Sequence, residues 1–382
     1  MLLTYSCNST NNPPVVKIFP ILSVLDLTQE RSNNDTITYR FYINLSAKGS
    51  NDITVAYKTT DATALAGKDY IAASGVLTIP ANQYLAYVDV KVIPGSLRQS
   101  DQTFTLQLSN PKNATISGTG VATGTIQNNG TYLPVDSTGY TSASSYQGMN
   151  LVWSDEFNGK SINTSNWSYD TGGSGWGNNE LEYYTNSSKN AFLTNGFLVI
   201  EARKESVGSN NYSSARILSK DKRSFTYGRI DIRAKLPKGQ GIWPALWMLG
   251  SNISTMAWPA CGEIDIMELL GNDPQKTYGT IHWGAAGGPS THIGGNYSLS
   301  SQTFYDKFHV FSLSWAASQL SFLVDDVVYF SASKSQVNGD YPFDKPFFFI
   351  MNVAVGGNWP GNPNDATTFP QRMLVDYVRV FQ

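Results

Sequence analysis

The chain has 382 residues, and 27 Lys and Arg against 29 Asp and Glu leave a net charge of −2. That length allows two domains, and no basic stripe or like-charge block points to nucleic acid; no apolar run is long enough to span a bilayer. With 33 Gly, 21 Tyr, 18 Phe and only 15% charged residues, the composition suits an all-β chain rich in turns and aromatic strands.

Residues 1–14 form an N-terminal tail. Cys7 follows MLLTYS and precedes the polar NSTNNPP, an arrangement that resembles the end of a bacterial lipoprotein signal with its acylated cysteine and tether. The other reading is a plain polar terminus. Cys7 and Cys261 are far apart in sequence, so a disulfide framework is not expected. Beside the acid Glu263, Cys261 would have a raised rather than a lowered thiol pKa and is expected to serve as a small packing residue.

From 15 to 128 the pattern has period two. Ile37, Tyr39, Phe41, Ile43 and Leu45 alternate with polar residues, as do Val88, Val90 and Val92, then Phe104, Leu106 and Leu108, and this predicts a small antiparallel β-sandwich. The stretch DATALAGKDYIAASGVLTIPANQ at 61–83, followed by TFTLQLSNPKNATI, resembles a Calx-β module. Such modules often bind calcium through acidic loops. Here Glu30, Asp61 and Asp101 occupy expected positions, but the closing loop reads Asn128, Asn129, Gly130, so calcium is not carried over to this unit. Residues 129–147 lack alternation and are rich in Ser, Thr, Gly and Tyr, the composition of a linker.

All nine tryptophans and all three histidines lie beyond residue 150, which sets residues 148–382 apart as a second domain with a different task. Its strands and turns predict a β-jelly-roll sandwich with a concave, aromatic cleft. In GIWPALWML, Trp243, Ala245 and Trp247 share one strand face. Trp243 and Trp258 are assigned to the cleft, Trp247 to either cleft or core, and Trp153, Trp167 and Trp315 to the core.

The segment GEIDIMELLG at 262–271 carries the chemistry. Glu263 and Asp265 alternate with Ile264 and Ile266, so the acids share one face of a strand. On a regular strand Glu268 would fall on the isoleucine face, where an unpartnered carboxylate is strongly disfavoured. A β-bulge at Met267 would return it to the acidic face. The two glutamate Cα atoms would then be roughly 13 Å apart at about 3.3 Å per step. Side chains leaning together could bring the carboxyls to the roughly 5–5.5 Å that a retaining glycosidase requires.

GEIDIME resembles the bulged active-site signature of glycoside hydrolase family 16. GWGNNELEYYT (175–185), SARI (214–217), FTYGRIDIRAKLPKGQGIWPALWMLG (225–250), TIHWG (280–284), FHVFSLSW (308–315), NVAVGGNWPG (352–361) and VDYVRVF (375–381) are similar, in order, to the laminarinase branch. The resemblance implies a retaining endo-β-1,3-glucanase acting on laminarin-type β-glucan, with mixed-linkage glucan as a second substrate. Agarase or carrageenase activity, or a non-catalytic β-glucan-binding protein, are the alternatives. It implies Glu263 as nucleophile, Glu268 as acid/base and Asp265 between them, hydrogen-bonded to one glutamate. Asn178, Glu180, Arg216, Trp243, Trp247, Trp258 and His282 would line the cleft. His309 is left as a packed structural residue. Catalysis would need no cofactor, and the histidines lack zinc-ligand spacing. A structural Ca2+ would be held by backbone oxygens near Glu156 and Gly196 and by Asp376, unless Asp376 pairs with an arginine such as Arg379. A monomer at the cell exterior or the outer-membrane surface is expected.

Overall fold

The structure, a computed structural model, describes residues 19–130 and 132–382. Cys7, and with it the lipoprotein reading of the tail, lies outside the described residues. The chain divides into two units at residues 130 and 131. Among the described residues, the regular structure is all β apart from two short 3-10 turns at Lys334–Gln336 and Pro342–Asp344. Among the described residues no helix is long and apolar enough to cross a membrane.

Alternation builds the first unit. One sheet runs, in spatial order, Leu85–Val92, Ile37–Leu45, Ile21–Val24 and Thr115–Ile116. The other runs Leu27–Glu30, Val121–Gln127, Gln102–Lys112, Ile53–Asp61 and Ser74–Ile79. Tyr39, Phe41, Ile43, Val88, Val90, Val92, Phe104, Leu106 and Leu108, the inward members of the expected strands, are all buried in one cluster. Most pairs are antiparallel. Ile21–Val24 and Leu27–Glu30, however, each lie parallel to a late strand, because the first stretch of chain is shared between the two sheets. Phe104 stacks on Tyr70 with ring centroids 4.5 Å apart. Its cross-strand partner is Gly124, where a Cβ would stand 2.5 Å from the Phe104 ring. The acids of this unit are engaged internally: Glu30 accepts from Asn129 Nδ2, Asp61 from the Tyr70 hydroxyl and Asp101 from the Asn128 N–H.

The second unit has two large sheets around one core. The seven-stranded sheet runs Ser168–Asp170, Arg216–Leu218, Phe347–Val355, Ile242–Gly250, Glu263–Leu269, Lys276–Trp283 and Thr291–Ser298. An eight-stranded sheet includes Gly228–Lys235 and the last strand, Gln371–Phe381. Side chains such as Leu246, Met248, Ile264 and Met351 from the first sheet meet Ile230, Ile232, Val375 and Val378 from the second. Trp167 and Trp315 are buried in this core and Trp153 packs on it, as expected. His309 is bonded to Asp325 and packed edge-on to Phe304.

The stretch 129–147 behaves differently from a linker. Leu133 donates its N–H to Thr194 Oγ1, and Arg233 donates to the carbonyls of Ser137 and Tyr140. The Ser142 N–H meets the Tyr377 hydroxyl, and the Tyr146 hydroxyl donates to the fully buried Asp231 at 2.7 Å. Residues 132–146 therefore form a strap on the outer sheet and belong to the second unit. Alternation could not reveal this. The strap bonds mainly to side chains rather than to a ladder, so its sequence carries no strand period.

Removing the strap takes two carbonyl acceptors from Arg233, which keeps Asp376, and takes the bonds of Leu133, Ser142 and Tyr146 from the Thr194, Tyr377 and Asp231 side chains. A protein starting at residue 148 should be less stable than one starting at 132 by about 5 kcal/mol, at about 1 kcal/mol for each of the bonds named above. That corresponds to roughly 10–20 °C for a domain of this size. Equal melting temperatures for the two proteins would show that the strap contributes nothing.

Candidate active site

The strand Glu263–Leu269 resolves the conflict posed by its own sequence. On one side Leu246 pairs with Met267 and Trp247 with Asp265, so Ile266 is left over. On the other side Asp265 pairs with Thr280 and Glu268 with Tyr278. Ile266 and Met267 together therefore face Gly279. The bulge expected at Met267 is present, with Ile266 as the extra residue. Ile264, Ile266, Met267 and Leu269 all enter the core, while Glu263, Asp265 and Glu268 all face the cleft. Gly279 is needed opposite the bulge, since a Cβ there would lie 2.4 Å from the Tyr329 hydroxyl and 2.7 Å from the Phe322 ring.

The cleft has a volume of about 820 Å³, and all ten residues assigned to catalysis or sugar contact line it. Trp258 Nε1 donates to Glu263 at 3.0 Å, and Trp243 Nε1 donates to Glu268 at 3.1 Å. His282 Nε2 lies 3.2 Å from Asp265 Oδ2 and 3.8 Å from Glu263 Oε1, with Nδ1 within 3.2 Å of Ser290 Oγ. Trp247, left open between core and cleft, belongs to the cleft wall and donates to Asn352 Oδ1 at 2.8 Å. Arg216 is wedged between the Trp176 and Trp247 rings and paired with Asp170 at 3.1 Å. Asn178 donates to Glu180, which also accepts from the Tyr184 hydroxyl.

Crowding and burial govern the protons of the acids. Burial, then the charge of Asp265, pushes Glu263 up to about 8, against the pull of His282 and the Trp258 N–H. Burial alone pushes Asp265 up to about 8. Glu268 is held well above the carboxylate range by burial and by the charges of both neighbours. Asp265 thus acts on both glutamates through its charge, and its Oδ2 is directed to His282. Cys261 is buried, and burial with the charge of Glu263 pushes its thiol up to about 11, which suits packing and not nucleophilic attack.

Several lining residues escaped the sequence reading: Trp176, Tyr278, His292, Asn352 and Trp359. Tyr278 could have been found, since it precedes Thr280 and His282 at strand period two. Trp359 packs edge-on to both Trp243 and Tyr278, at 5.6 and 5.0 Å between centroids. It comes from a loop, where no periodicity marks a face.

The residues assigned to calcium are differently occupied. Arg379 donates two bonds to Glu156, at 2.9 and 2.8 Å, and Arg233 donates to Asp376 Oδ2 at 2.6 Å. The arginine expected for Asp376 thus serves Glu156. Gly196 lies in a tight turn at φ +83°. Calcium takes six to eight oxygens, and with these carboxylates spent on guanidinium groups the side chains alone do not supply such a set.

Because the three acids hold protons in the folded state that an unfolded chain releases near pH 4, stability should fall as pH rises from about 4.3 to 8. Glu268→Gln removes one such group. The variant should match the parent near pH 4.5 and melt several degrees higher at pH 8, at about 1.4 kcal/mol per pKa unit and 2–4 °C per kcal/mol. A difference that does not change with pH would refute this account of the acids.

Two family models match the chain. Residues 178–379 match Glycosyl hydrolases family 16, and residues 44–263 match Beta-glucan synthesis-associated protein SKN1/KRE6/Sbg1, the second stopping before Asp265 and Glu268. The chain is 43% identical over 260 residues to a Glucan endo-1,3-beta-glucosidase A1 of Niallia circulans, covering 62% of this chain and 38% of that one. It is 43% identical over 244 residues to a Beta-glucanase of Rhodothermus marinus, covering 61% of this chain and 85% of that one. The laminarinase catalytic domain of Thermotoga maritima superposes with a TM-score of 0.58 at 48% identity, over 61% of this chain and 98% of that domain. The first match takes in all three acids and more than half of the sequence: the chain belongs to glycosyl hydrolases family 16.

Proposed function

We propose that the protein is a retaining endo-β-1,3-glucanase that hydrolyses laminarin-type β-glucan. One observation carries the reading: a bulged strand places Glu263, Asp265 and Glu268 together on the floor of a cleft walled by Trp243, Trp247, Trp258 and Trp359. Indole faces suit the apolar C–H surface of a sugar ring. The names of the relatives point the same way, although the chain spans only 38% of the first of them.

The environments of the two glutamates divide the roles. Each glutamate receives a Trp N–H and feels His282. After burial, Glu263 is pushed up by the charge of Asp265 alone and Glu268 by the charges of both Asp265 and Glu263, which suits Glu263 to ionise and Glu268 to keep its proton. Glu263 attacks the anomeric carbon as the glycosidic bond breaks, and Glu268 gives its proton to the leaving oxygen. In the second step Glu268 takes a proton from water, and the water oxygen displaces Glu263 from the anomeric carbon. Once Asp265 ionises, its charge holds the proton on Glu268 more firmly still.

A neutral polymer suits the walls. Among the described residues Arg216 is the one Arg or Lys that lines the cleft, and it is paired with Asp170, which disfavours the sulfated polymer a carrageenase takes. The retained acids disfavour a binding-only protein. Action on a polymer accords with an extracellular or outer-membrane location, which is part of this proposal.

Short oligosaccharides should appear from laminarin by internal cuts, with none from agarose. Glu263→Ala and Glu268→Ala should each lower kcat by at least about 10³-fold. With an activated substrate, azide should give a β-glycosyl azide from Glu268→Ala and an α-azide from Glu263→Ala; the reverse pairing would exchange the roles. Asp265→Asn should weaken activity and shift its pH profile.

A structural Ca2+ is a separate proposal, resting on the backbone carbonyls of Glu156 and Gly196 and the second oxygen of Asp376. Chelation should then lower the melting temperature. An unchanged melting temperature after EDTA would leave the arginine pairs as the whole account of that face.

A further inference from the structure

Behind the cleft wall sits a second pair of carboxyls that the reaction does not use. Glu182, in a short strand running parallel to Tyr212–Ser214, is fully buried. Its Oε2 accepts the Val355 N–H at 2.6 Å, whereas no donor among the described residues reaches its buried Oε1. The carboxyl whose charge acts on it is that of Glu180, two residues before it, which adds to burial in pushing Glu182 up. Two carboxylates have only acceptors to offer each other, so a bond between this buried, unpartnered oxygen and Glu180 requires a proton.

The surrounding bonds decide which of the two holds it. Glu180 accepts at both oxygens, from Asn178 Nδ2 at 3.2 Å and from the Tyr184 hydroxyl at 3.1 Å. Tyr184 in turn accepts from Asn352 Nδ2 at 3.0 Å, and Asn352 accepts from Trp247. Glu180 is thus the acceptor end of a chain of donors, and it lines the cleft. Glu182 has the spare oxygen and no opening to water. The titratable and charged groups around the pair are Glu180, Tyr184 and Arg216, with Tyr212 paired beside Glu182. Burial, and then the charge of Glu180, hold Glu182 well above the usual carboxylate range.

We propose that Glu182 is a positioning residue: it keeps a proton at working pH and donates it to Glu180. That bond fixes the Glu180 carboxylate, singly charged, at the cleft surface, where it accepts a hydroxyl of a bound sugar away from the scissile bond. The role rests on the glucan reading of the cleft. The proton itself does not.

Two variants and one spectrum test this. Glu182→Gln can still donate to Glu180 and accept from Val355, so KM and kcat on laminarin should stay within about twofold of the parent; Glu182→Met can do neither and should raise KM about tenfold with little change in kcat. In the parent, KM should rise at alkaline pH as Glu182 loses its proton, and that rise should be absent in Glu182→Gln. Infrared spectra at neutral pH, taken without substrate, should show one protonated-carboxyl band in the parent that is missing from Glu182→Gln. Identical carboxyl bands, or a Gln variant as impaired as the Met variant, would overturn the proposal. Inactivity of the parent on laminarin with the band present would instead refute the glucan reading and leave the proton on Glu182.

Discussion

A single inserted residue governs the catalytic half of this protein. A strand can put every second side chain on one face, and three acids spaced two and three residues apart cannot all share a face without a break in that rule. Ile266 supplies the break. Because the bulge sits between Asp265 and Glu268, the apolar residues on both sides of it still reach the core, so the site does not require an acid to be buried there. Gly279 completes the device from the neighbouring strand by leaving room for the Tyr329 and Phe322 side chains beneath it.

Three carboxyls gathered on one sheet face create an electrostatic problem that the cleft walls then answer. Burial and mutual repulsion favour protons on all of them, whereas a nucleophile has to be ionised. The donors are distributed unequally. Trp258 and His282 address Glu263 and Trp243 addresses Glu268, while Asp265 adds its charge to both. Trp243 and Trp258 have two tasks, a ring face for sugar and an N–H for an acid. The Glu180 and Glu182 pair repeats the same logic behind the wall, where a shared proton turns two acids into one anchored acceptor.

The outer sheet follows another principle. Its acids are matched with arginines: Glu156 with Arg379, Asp376 with Arg233, Asp231 with Arg229. Arg233 also binds two carbonyls of the strap 132–146, so one guanidinium ties a strand, its neighbour and the segment leading into the domain. A planar fork of five donors can do this and a lysine could not.

The sequence by itself determined the all-β class, the inward residues of the first sandwich, the acid strand and the need for a bulge within it. Each of these follows from period two, a local property that survives without knowledge of neighbours. Family resemblance added the cleft residues Asn178, Glu180, Arg216 and His282. Tertiary structure alone decided the rest. Which residue of the bulge is extra depends on the register of two neighbouring strands. Trp359 reaches the cleft from a loop that has no period. The strap looks like a linker because its partners are side chains far away in sequence, and Asp376 chose Arg233 over Arg379 because adjacent strands, not adjacent residues, set which guanidinium is near. The protons of the acids were likewise settled only by packing, since a carboxyl's pKa depends on what surrounds it and no spacing along the chain records that.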